Sequence, residues 1–372
     1  MRRFNALASS ARSIVFYAED TTSWVHFEPI IQQLTGPMRR EICYLTSSHR
    51  DPILKTENEK IRAFCIGEGV VRTFLFVNLR AGVLVMTMPD LETFHIKRSK
   101  LHPVHYVYVF HSIVSTYMTY RKGAFDHFDT VLCVGPHHIR EIRATEATYG
   151  LKPKNLVEHG YGRLDRLLQE KFQRNSDLPA GKGQKKWVLV APSWGHNALL
   201  ETRGVELVKI LLEAGYHVTV RPHPVTQRKW PDVIQALKDR FQGDSDFLLV
   251  TDVTSEESLH ASNIMVSDWS GVALEYAFGL ERPVLFVDVP PKVNNPYYGD
   301  IPYEPLEVAI RSEIGLIVSP DRLSEIPAKI EKLCDDSEAF RKPIRHVRTH
   351  TVYNIGTSGA VGASYIAQIA DE

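Results

Sequence analysis

Two histidines of the sequence stand at the ends of apolar stretches, where a side chain can move a proton or bind a phosphate. His111 follows the apolar run Val107-Tyr108-Val109-Phe110 and precedes Ser112. Because the pKa of an unperturbed imidazole lies near neutrality, His111 is able to accept a proton from a hydroxyl group. A histidine that makes only structural hydrogen bonds would give the same local pattern. Both interpretations of His111 remain open at this point.

The second histidine, His223, lies between two prolines in the tetrapeptide Arg221-Pro222-His223-Pro224. Each proline fixes its φ angle and removes a backbone donor, so the loop is stiff. Arg221 and His223 flank one turn and can both reach a phosphate, Arg221 through two parallel hydrogen bonds. A rigid loop that merely leaves a strand is the alternative. The pairing of arginine and histidine between prolines favours phosphate binding.

A short polar loop, residues 267–271, connects a predicted strand at 264–266 to a predicted helix at 272–278. Small side chains and free backbone N–H groups at a helix N-terminus form a site for anions. The loop therefore predicts a cradle for a phosphate or pyrophosphate. Serine and aspartate are also ordinary N-cap residues, so a turn that binds nothing is the alternative. The loop residues assigned to the cradle are Ser267, Asp268, Ser270 and Gly271.

Five further residues lie near predicted strand ends or in the adjoining helix. Arg163 and Asp165 occur in a glycine-flanked GYGRLD segment, and a salt bridge between them that closes a cleft is the alternative to a binding role. Ser193 and Trp194 follow another strand, where Ser193 can donate to a phosphate and Trp194 is either beside a nucleotide or in the core. Glu275 either binds ribose hydroxyls or caps a surface.

These residues need a scaffold that brings several strand ends together. Apolar stretches alternate with helical segments along the chain, and polar residues follow each apolar stretch. This alternation is typical of a parallel sheet, in which ligands bind at the carboxyl ends of the strands. The sequence therefore predicts an α/β fold. The predicted strands are 13–18, 41–46, 64–66, 83–86, 104–110, 130–134, 154–159, 187–191, 217–221, 247–250, 264–266 and 284–287.

The length of 372 residues predicts two domains. We expect a Rossmann-like domain over residues 1–175, a second over 176–345, and a terminal helix within 346–372 that packs back on the first domain. The polar segment 174–186, which contains glycine and lysine, is the predicted linker. Two such domains in tandem, with their strand ends facing a central cleft, form the GT-B type of arrangement.

The composition narrows the classes of function. Lysine plus arginine equals aspartate plus glutamate at 44 each, so charge gives no indication of a nucleic-acid partner, and none is predicted. The 16 histidines include no HExxH-like spacing, and no metal site is predicted. Walker A, Gly-x-Gly-x-x-Gly and Gly-x-Ser-x-Gly motifs are absent.

Without a secretory signal or membrane span, the chain is expected to be cytoplasmic. Buried free thiols are expected at Cys43, Cys65, Cys133 and Cys334.

Taken in order, these landmarks resemble the CDP-glycerol glycerophosphotransferase family of teichoic-acid and capsule synthesis. The resemblance covers about residues 80–366 and is strongest in the second half. It implies a GT-B fold and transfer of a polyol phosphate, in the first place glycerol phosphate, from a CDP-activated donor to a hydroxyl. The acceptor would be a lipid-linked or polymeric glycan, and CMP would be released. The segments that carry the resemblance are FHS (110–112), GYGRLD (160–165), APSW (191–194), RPHP (221–224), SDWSGVALEYAFGLERPVLF (267–286) and YNIGTSGAVGASYI (353–366).

By the same resemblance His111 is a catalytic base and His223 a second catalytic residue that contacts donor phosphate. The loop 267–271 would hold the donor phosphates, while Arg163 and Asp165 would lie between the domains on the acceptor side. The first domain would bind the acceptor and the second the nucleotide donor. No cofactor is implied beyond the CDP-polyol substrate, and metal dependence and oligomeric state stay open.

The chain departs from the family pattern mainly after His111. Phe110 and Ser112 replace a tryptophan and a glycine, Ile113 to Thr116 replace a Thr-Pro-Leu-Lys sequence, and Gly162 replaces a proline. These changes leave the identity of the acceptor open. Two alternatives to the transferase also remain: a UDP-sugar glycosyltransferase or epimerase of the same fold, and a non-catalytic nucleotide-binding protein. Contact with a cytoplasmic membrane surface is a further expectation, through Arg2, Arg3, Arg12, Lys97, Arg98 and Lys100.

Overall fold

The computed structural model of the chain describes residues 2–174, 185–252 and 255–372. Two parallel sheets organise these residues, which confirms the predicted α/β class. The first sheet has the order β3-β2-β1-β4-β5-β6-β7. Its strands are β1 (Ile14–Ala18), β2 (Ile42–Thr46), β3 (Ile61–Cys65), β4 (Val83–Met86), β5 (His105–Val109), β6 (Thr130–Cys133) and β7 (Asn155–Glu158).

The second sheet has six strands in the order β10-β9-β8-β11-β12-β13. Every pairing in both sheets is parallel. The central strands carry apolar side chains that helices cover on both faces, as parallel sheets require. The strands are β8 (Trp187–Val190), β9 (His217–Val220), β10 (Phe247–Leu249), β11 (Ile264–Ser267), β12 (Val284–Val287) and β13 (Gly315–Val318).

The helices connect successive strands and cover the faces of the sheets. Short 3-10 turns occur at Ser10–Arg12, Thr21–Ser23, Pro52–Lys55, Tyr298–Asp300 and Pro320–Glu325. The helices are α1 (Arg2–Asn5), α2 (Trp24–Thr35), α3 (Val70–Val77), α4 (Pro136–Tyr149), α5 (Gly162–Arg174), α6 (Leu199–Glu213), α7 (Pro224–Lys229), α8 (Pro231–Phe241), α9 (Glu257–Ala261), α10 (Gly271–Leu280), α11 (Leu306–Ala309), α12 (Arg311–Ile314), α13 (Ile326–Asp335), α14 (Ser337–Thr351) and α15 (Ser358–Asp371).

The two sheets are joined by helices as well as by the chain. Helix α5 packs against α2 beside the first sheet and against α10 beside the second. At that second contact Gly279 is required, because a Cβ there would lie 2.8 Å from the Cβ of Leu167. The terminal helix α15 packs along α2. The predicted domain limits at residues 175 and 345 stay a prediction, and most of the predicted linker lies outside the described residues.

Two basic residues that were expected to meet a membrane, and one cysteine that was expected to be buried, have other environments in the structure. None of the described helices is long and apolar enough to cross a membrane. Arg12 is buried, so the expectation that it meets lipid is wrong. Arg98 is engaged with Asp129 at 2.9 Å rather than free for lipid head groups. Cys65 is exposed, which contradicts its predicted burial, because β3 is the edge strand of the first sheet.

Candidate active site

A cavity of about 630 Å³ lies between the carboxyl ends of the two sheets. In each sheet the order of strands reverses beside it, between β1 and β4 and between β8 and β11. Such reversal points open a crevice in which α/β proteins bind ligands. The predicted site residues that line the cavity are His111, Ser112, Arg163, Ser193, Trp194, Arg221, His223, Ser270, Gly271 and Glu275.

His111 presents one free ring nitrogen to this cavity. Its Nδ1 lies 3.1 Å from the carbonyl oxygen of Thr87 and 3.2 Å from the hydroxyl of Tyr108. A carbonyl oxygen only accepts, so Nδ1 carries the proton and donates it to Thr87. The Nε2 lone pair is then free. Burial within the cleft lowers the pKa of His111, which keeps the ring neutral at physiological pH. His111 therefore has the tautomer and charge of a general base.

The loop after His111 comprises residues 112–119, and buried side chains fix it at positions 113–116. His137 and His138 each hydrogen-bond through Nε2 to a loop carbonyl, those of Ile113 at 2.8 Å and Val114 at 2.9 Å. The loop that departs from the family pattern is thus held from α4. Carboxylates complete the support: Glu141 accepts from Thr116 N and Oγ1, and Glu307 accepts from Ser115 N and Oγ.

His223 differs from His111 in its protonation. Its Nδ1 accepts a hydrogen bond from the backbone N–H of Val225 at 3.1 Å and so caps α7. The proton of the neutral ring therefore lies on Nε2, which makes that nitrogen a donor. Burial, with the positive charges of Lys292 and Arg228 and the neighbouring His111, lowers the pKa of His223 to about 3. The ring is consequently suited to donate a hydrogen bond to a phosphate oxygen.

The loop 267–271 divides into a buried half and an exposed half. Ser267 is fully buried, donates to the carbonyl of Ala191 at 2.7 Å and does not line the cavity. Asp268 accepts from the backbone N–H of Ser193 at 2.6 Å and of Leu199 at 3.1 Å. The structure thus places Ser267 and Asp268 beneath the cavity, where they brace the loop that carries Ser193, and not in its lining.

The exposed half of the loop reaches across the cleft. Ser270 is the N-cap of α10 but its side chain makes no capping bond, so its hydroxyl is available to a ligand. A Cβ at Gly271 would lie 2.1 Å from the hydroxyl oxygen of Ser112. Glycine therefore lets the α10 N-terminus approach the loop after His111. An anion bound at this helix end would lie beside His111.

Arg163 and Asp165 do not form the salt bridge that was the alternative to a binding role. Arg163 Nε lies 3.1 Å from Glu275 and 3.5 Å from Glu256, so it joins the two halves of the cleft. Glu275 also accepts from the hydroxyl of Tyr161 at 2.6 Å. Asp165 instead points away from the cavity and accepts from the N–H groups of Gly356 and Ser358 at the start of α15. The role of Asp165 is therefore to anchor the terminal helix.

Lys292 and His26 are among the cavity residues that sequence analysis missed. Lys292 follows β12 and lies with its ammonium 4.1 Å from the ring centroid of Trp194. His26 lies in the first turn of α2, with its ring centroid 6.2 Å from that of His111. His26 follows β1, which borders a reversal point, and Lys292 follows β12, which is one strand further from the other reversal point. Ligands bind at the carboxyl ends of parallel strands, and applying this rule to residues further along each following loop would have found both.

Both sides of the cavity lining carry both signs of charge: cations are in excess on the side of the second sheet, which also has Glu275, and carboxylates are in excess on the side of the first sheet, which also has Arg121 and Arg163. Arg221, Arg228 and Lys292 line it from the side of the second sheet. Carboxylates line it from the side of the first sheet, at Glu19, Asp20 and Asp90. An anionic group would therefore be attracted to the second side and an uncharged polyhydroxyl group tolerated on the first.

A metal ion has one candidate group among the described residues. Glu170, Glu256 and His260 offer ligand atoms within 4.8 Å of one another, outside the cavity lining. Arg163 lies 3.5 Å from Glu256, and Arg166 donates to Glu170 at 2.8 Å. These two carboxylates are thus paired with arginines, and the group lies outside the candidate active site.

A protein-family model matches more than half of the chain. The model is described as CDP-Glycerol:Poly(glycerophosphate) glycerophosphotransferase, and the match covers residues 73–289. This range includes His111, His223 and the loop 267–271, and it ends before Lys292. No curated protein sequence matches the chain significantly.

Solved structures share the arrangement of the two sheets. The wall teichoic acid polymerase TagF, solved after a soak with CDPG, is 12% identical with a TM-score of 0.60, over 100% of this chain and 92% of that chain. The UDP-GlcNAc 2-epimerase of Methanocaldococcus jannaschii, solved with UDP-GlcNAc and UDP, is 12% identical with a TM-score of 0.58, over 96% and 99%. A putative UDP-N-acetylglucosamine 2-epimerase from Listeria monocytogenes is 13% identical with a TM-score of 0.57, over 93% of each chain. Likeness at this identity shows the fold alone and confirms the predicted GT-B-like arrangement.

Proposed function

Because the chain belongs to the CDP-glycerol:poly(glycerophosphate) glycerophosphotransferase family, we propose that its cavity transfers a polyol phosphate from a CDP-activated donor to a hydroxyl group. Glycerol phosphate is the first candidate for the transferred group. The observation that carries the proposal is the placement of a neutral His111, with a free Nε2, opposite a set of phosphate-binding groups in one cavity. Transfer of a phosphoryl group needs this pairing of a base with positive charge.

The donor is assigned to the side of the second sheet. Arg221, His223 Nε2–H and the N-terminus of α10 with Ser270 all present donors or positive charge to the cavity there. A diphosphate bound by these groups would place its β-phosphorus near the contact of Gly271 with Ser112, which borders His111. Trp194 offers an aromatic face at the same side of the cavity.

The reaction follows from this placement. His111 Nε2 takes the proton of the acceptor hydroxyl as the hydroxyl oxygen forms a bond to the β-phosphorus of the CDP-polyol. The bond between that phosphorus and the bridging oxygen breaks, and CMP leaves with the bonding electrons. Arg221, His223 and the α10 N-terminus stabilise the negative charge on the leaving CMP. No covalent protein intermediate is required.

The acceptor is assigned to the side of the first sheet. A glycan presents hydroxyl groups, and carboxylates such as those of Glu19, Asp20 and Asp90 accept hydrogen bonds from hydroxyls. Thr22 and Tyr120 add hydroxyl groups to the same side. A lipid-linked or polymeric glycan is the acceptor class that fits both this lining and the family.

Contact with a membrane surface is part of the same proposal, through the start of helix α3. Val70, Val71 and Phe74 are exposed there, Val70 to 85%. Arg72 of the same turn lies 3.9 Å from Glu19, which lines the cavity, so the apolar side chains border the acceptor side. An apolar rim at this place would rest on a lipid surface while a lipid-linked acceptor enters.

Ligand binding tests the proposed donor. The pure protein is titrated by calorimetry with CDP-glycerol, CDP-ribitol, CMP, UDP-GlcNAc and UDP. The proposal predicts that CMP and at least one CDP-polyol bind, and that UDP compounds bind weakly. Binding of the UDP compounds alone would overturn it in favour of a UDP-sugar enzyme.

A further inference from the structure

The segment that carries Lys292 joins the two sides of the cleft. Residues 288–304 leave β12, cross to the loop after His111 and return to α11; we term this segment the interdomain strap. Asn294 donates from its backbone N to Met118 O at 2.9 Å, and Asn295 donates from Nδ2 to Tyr117 O at 2.9 Å. Tyr117 in return donates its hydroxyl to the carbonyl of Tyr303. The strap is therefore fixed to the loop that follows His111.

Lys292 holds a positive charge at the cavity wall without a carboxylate partner. It lines the cavity, and among the described residues no carboxylate oxygen lies within 4.0 Å of its ammonium. Its close contact is the Trp194 ring at 4.1 Å. Burial lowers the pKa of Lys292 to about 8, against the carboxylates of Asp268 and Glu201, which raise it. A half-buried cation without a counter-ion is costly, and a bound anion removes that cost.

We propose that Lys292 binds the diphosphate of the activated donor, and that the interdomain strap couples this contact to the position of His111. The inference rests on the proposed function and deepens it. Lys292 lies among groups already suited to phosphate, since its charge acts on both His223 and His111. The strap places Asn294 and Asn295 two and three residues further along, on the backbone of the His111 loop. Lys292 also lies outside the matched range 73–289, so the family match does not assign it.

A matched lysine permits a controlled test. Lys229 also approaches the Trp194 ring, at 5.6 Å, but it is exposed and does not line the cavity. Lys292→Met and Lys229→Met therefore each remove one positive charge from beside the same tryptophan. Each variant is titrated calorimetrically with CDP-glycerol and with cytidine, and its fold is checked by circular dichroism.

We expect Lys292→Met to weaken CDP-glycerol binding about 10- to 100-fold, the range of one charge-assisted hydrogen bond, and to leave cytidine binding unchanged. Lys229→Met should bind both as the wild type does, and Lys292→Arg should recover most of the affinity. In the wild type, CDP-glycerol affinity should fall as pH rises through about 8, because the lysine loses its charge, and this fall should vanish in Lys292→Met. If Lys292→Met does not fold, the CDP-glycerol affinity of Lys292→Arg and the pH profile of the wild type decide whether Lys292 binds the diphosphate.

The coupling is tested on Asn295. Asn295→Ala removes the bond to Tyr117 O and should lower turnover while CDP-glycerol affinity stays within about twofold, because the loop and not the donor site is loosened. Equal turnover in Asn295→Ala and wild type overturns the coupling.

Failure of the inference is distinct from failure of the proposed function. Wild-type protein that binds CDP-glycerol, together with Lys292→Met that binds it equally well, overturns the role of Lys292 alone. Wild-type protein that binds no CDP-polyol overturns the proposed donor and, with it, this inference.

Discussion

His111 has one ring nitrogen committed to Thr87 O and the other free in the cavity. Replacing it with glutamine removes the base while keeping a polar side chain of similar reach. We expect His111→Gln to lower turnover about 10²- to 10⁴-fold, the usual contribution of a general base. CDP-glycerol affinity should change little, because the donor groups lie on the other side. Steady-state kinetics and calorimetry together measure both, and full turnover in the variant would contradict the assignment.

The pH dependence of activity gives a second test at the scale of one residue. A base must be neutral, and burial lowers the pKa of His111 from its ordinary value of 6.5. His111 therefore becomes protonated only at a lower pH than a free histidine. The acid limb of the pH profile of kcat/KM should accordingly have its midpoint below pH 6.5. A limb at or above that pH would show that the group is not a buried neutral histidine. The limb should be absent from the residual activity of His111→Gln.

The sequence predicted which loops reach the cavity, but not which side chains of those loops line it. The rule that ligands bind at the carboxyl ends of parallel strands placed His111, His223 and Ser270 at the cavity, because the parallel strands of one sheet end at one edge. It does not say which side chain of a loop faces outward. Ser267 and Asp268 turn inward to satisfy backbone groups at Ala191 and Ser193, which depends on the neighbouring strand. Such partners are far away in sequence and have no local signal.

At the scale of elements, α15 is fixed by a side chain from α5. Asp165 accepts hydrogen bonds from Gly356 N at 2.6 Å, Ser358 N at 3.0 Å and Ser358 Oγ at 2.5 Å. Asp165→Ala leaves donors of the first turn unpaired and should lower the free energy of unfolding by about 1–3 kcal/mol. Denaturant unfolding measures this loss.

Asp239→Ala is the matched control. Asp239 is exposed on α8, so its replacement should change the free energy of unfolding little. CMP affinity of Asp165→Ala should equal that of the wild type, because Asp165 lies outside the cavity lining. A selective loss of CMP affinity would return Asp165 to the binding site.

The boundaries of elements were predicted best where patterns are local. The helix predicted at 272–278 lies within α10 (Gly271–Leu280), and the strand predicted at 284–287 is β12 (Val284–Val287). Strand β13 (Gly315–Val318) was missed, because four residues with two half-exposed side chains give little periodicity. Helix α14 was missed as well, since its proline at 343 is a usual breaker of helices.

At the scale of the whole molecule, the exposed side chains of α3 predict binding to lipid vesicles. The double variant Val71→Ser and Phe74→Ser should bind vesicles at least about tenfold less than the wild type, because burying one phenylalanine contributes about 1.5–3 kcal/mol. Co-sedimentation with phosphatidylglycerol vesicles measures the change. Phe172→Ser is the control, since Phe172 is 86% exposed on α5. Equal sedimentation of the double variant and wild type would contradict the proposed membrane contact.

The overall architecture was the most predictable level. Alternating apolar and helical segments predicted two parallel α/β units, and the structure confirms them. The resemblance to the glycerophosphotransferase family is confirmed by the match over residues 73–289. The interdomain strap was not predictable, because its function depends on side-chain contacts to a loop more than 170 residues away.

Release of CMP tests the central claim most directly. The pure protein is incubated with CDP-glycerol or CDP-ribitol and a lipid-linked glycan acceptor, with UDP-GlcNAc as the competing donor, and free CMP and UDP are quantified. We predict CMP release that requires the acceptor and matches the polyol phosphate gained by it. Conversion of UDP-GlcNAc without any CMP release from the CDP-polyols would contradict phosphate transfer and assign the cavity to UDP-sugar chemistry.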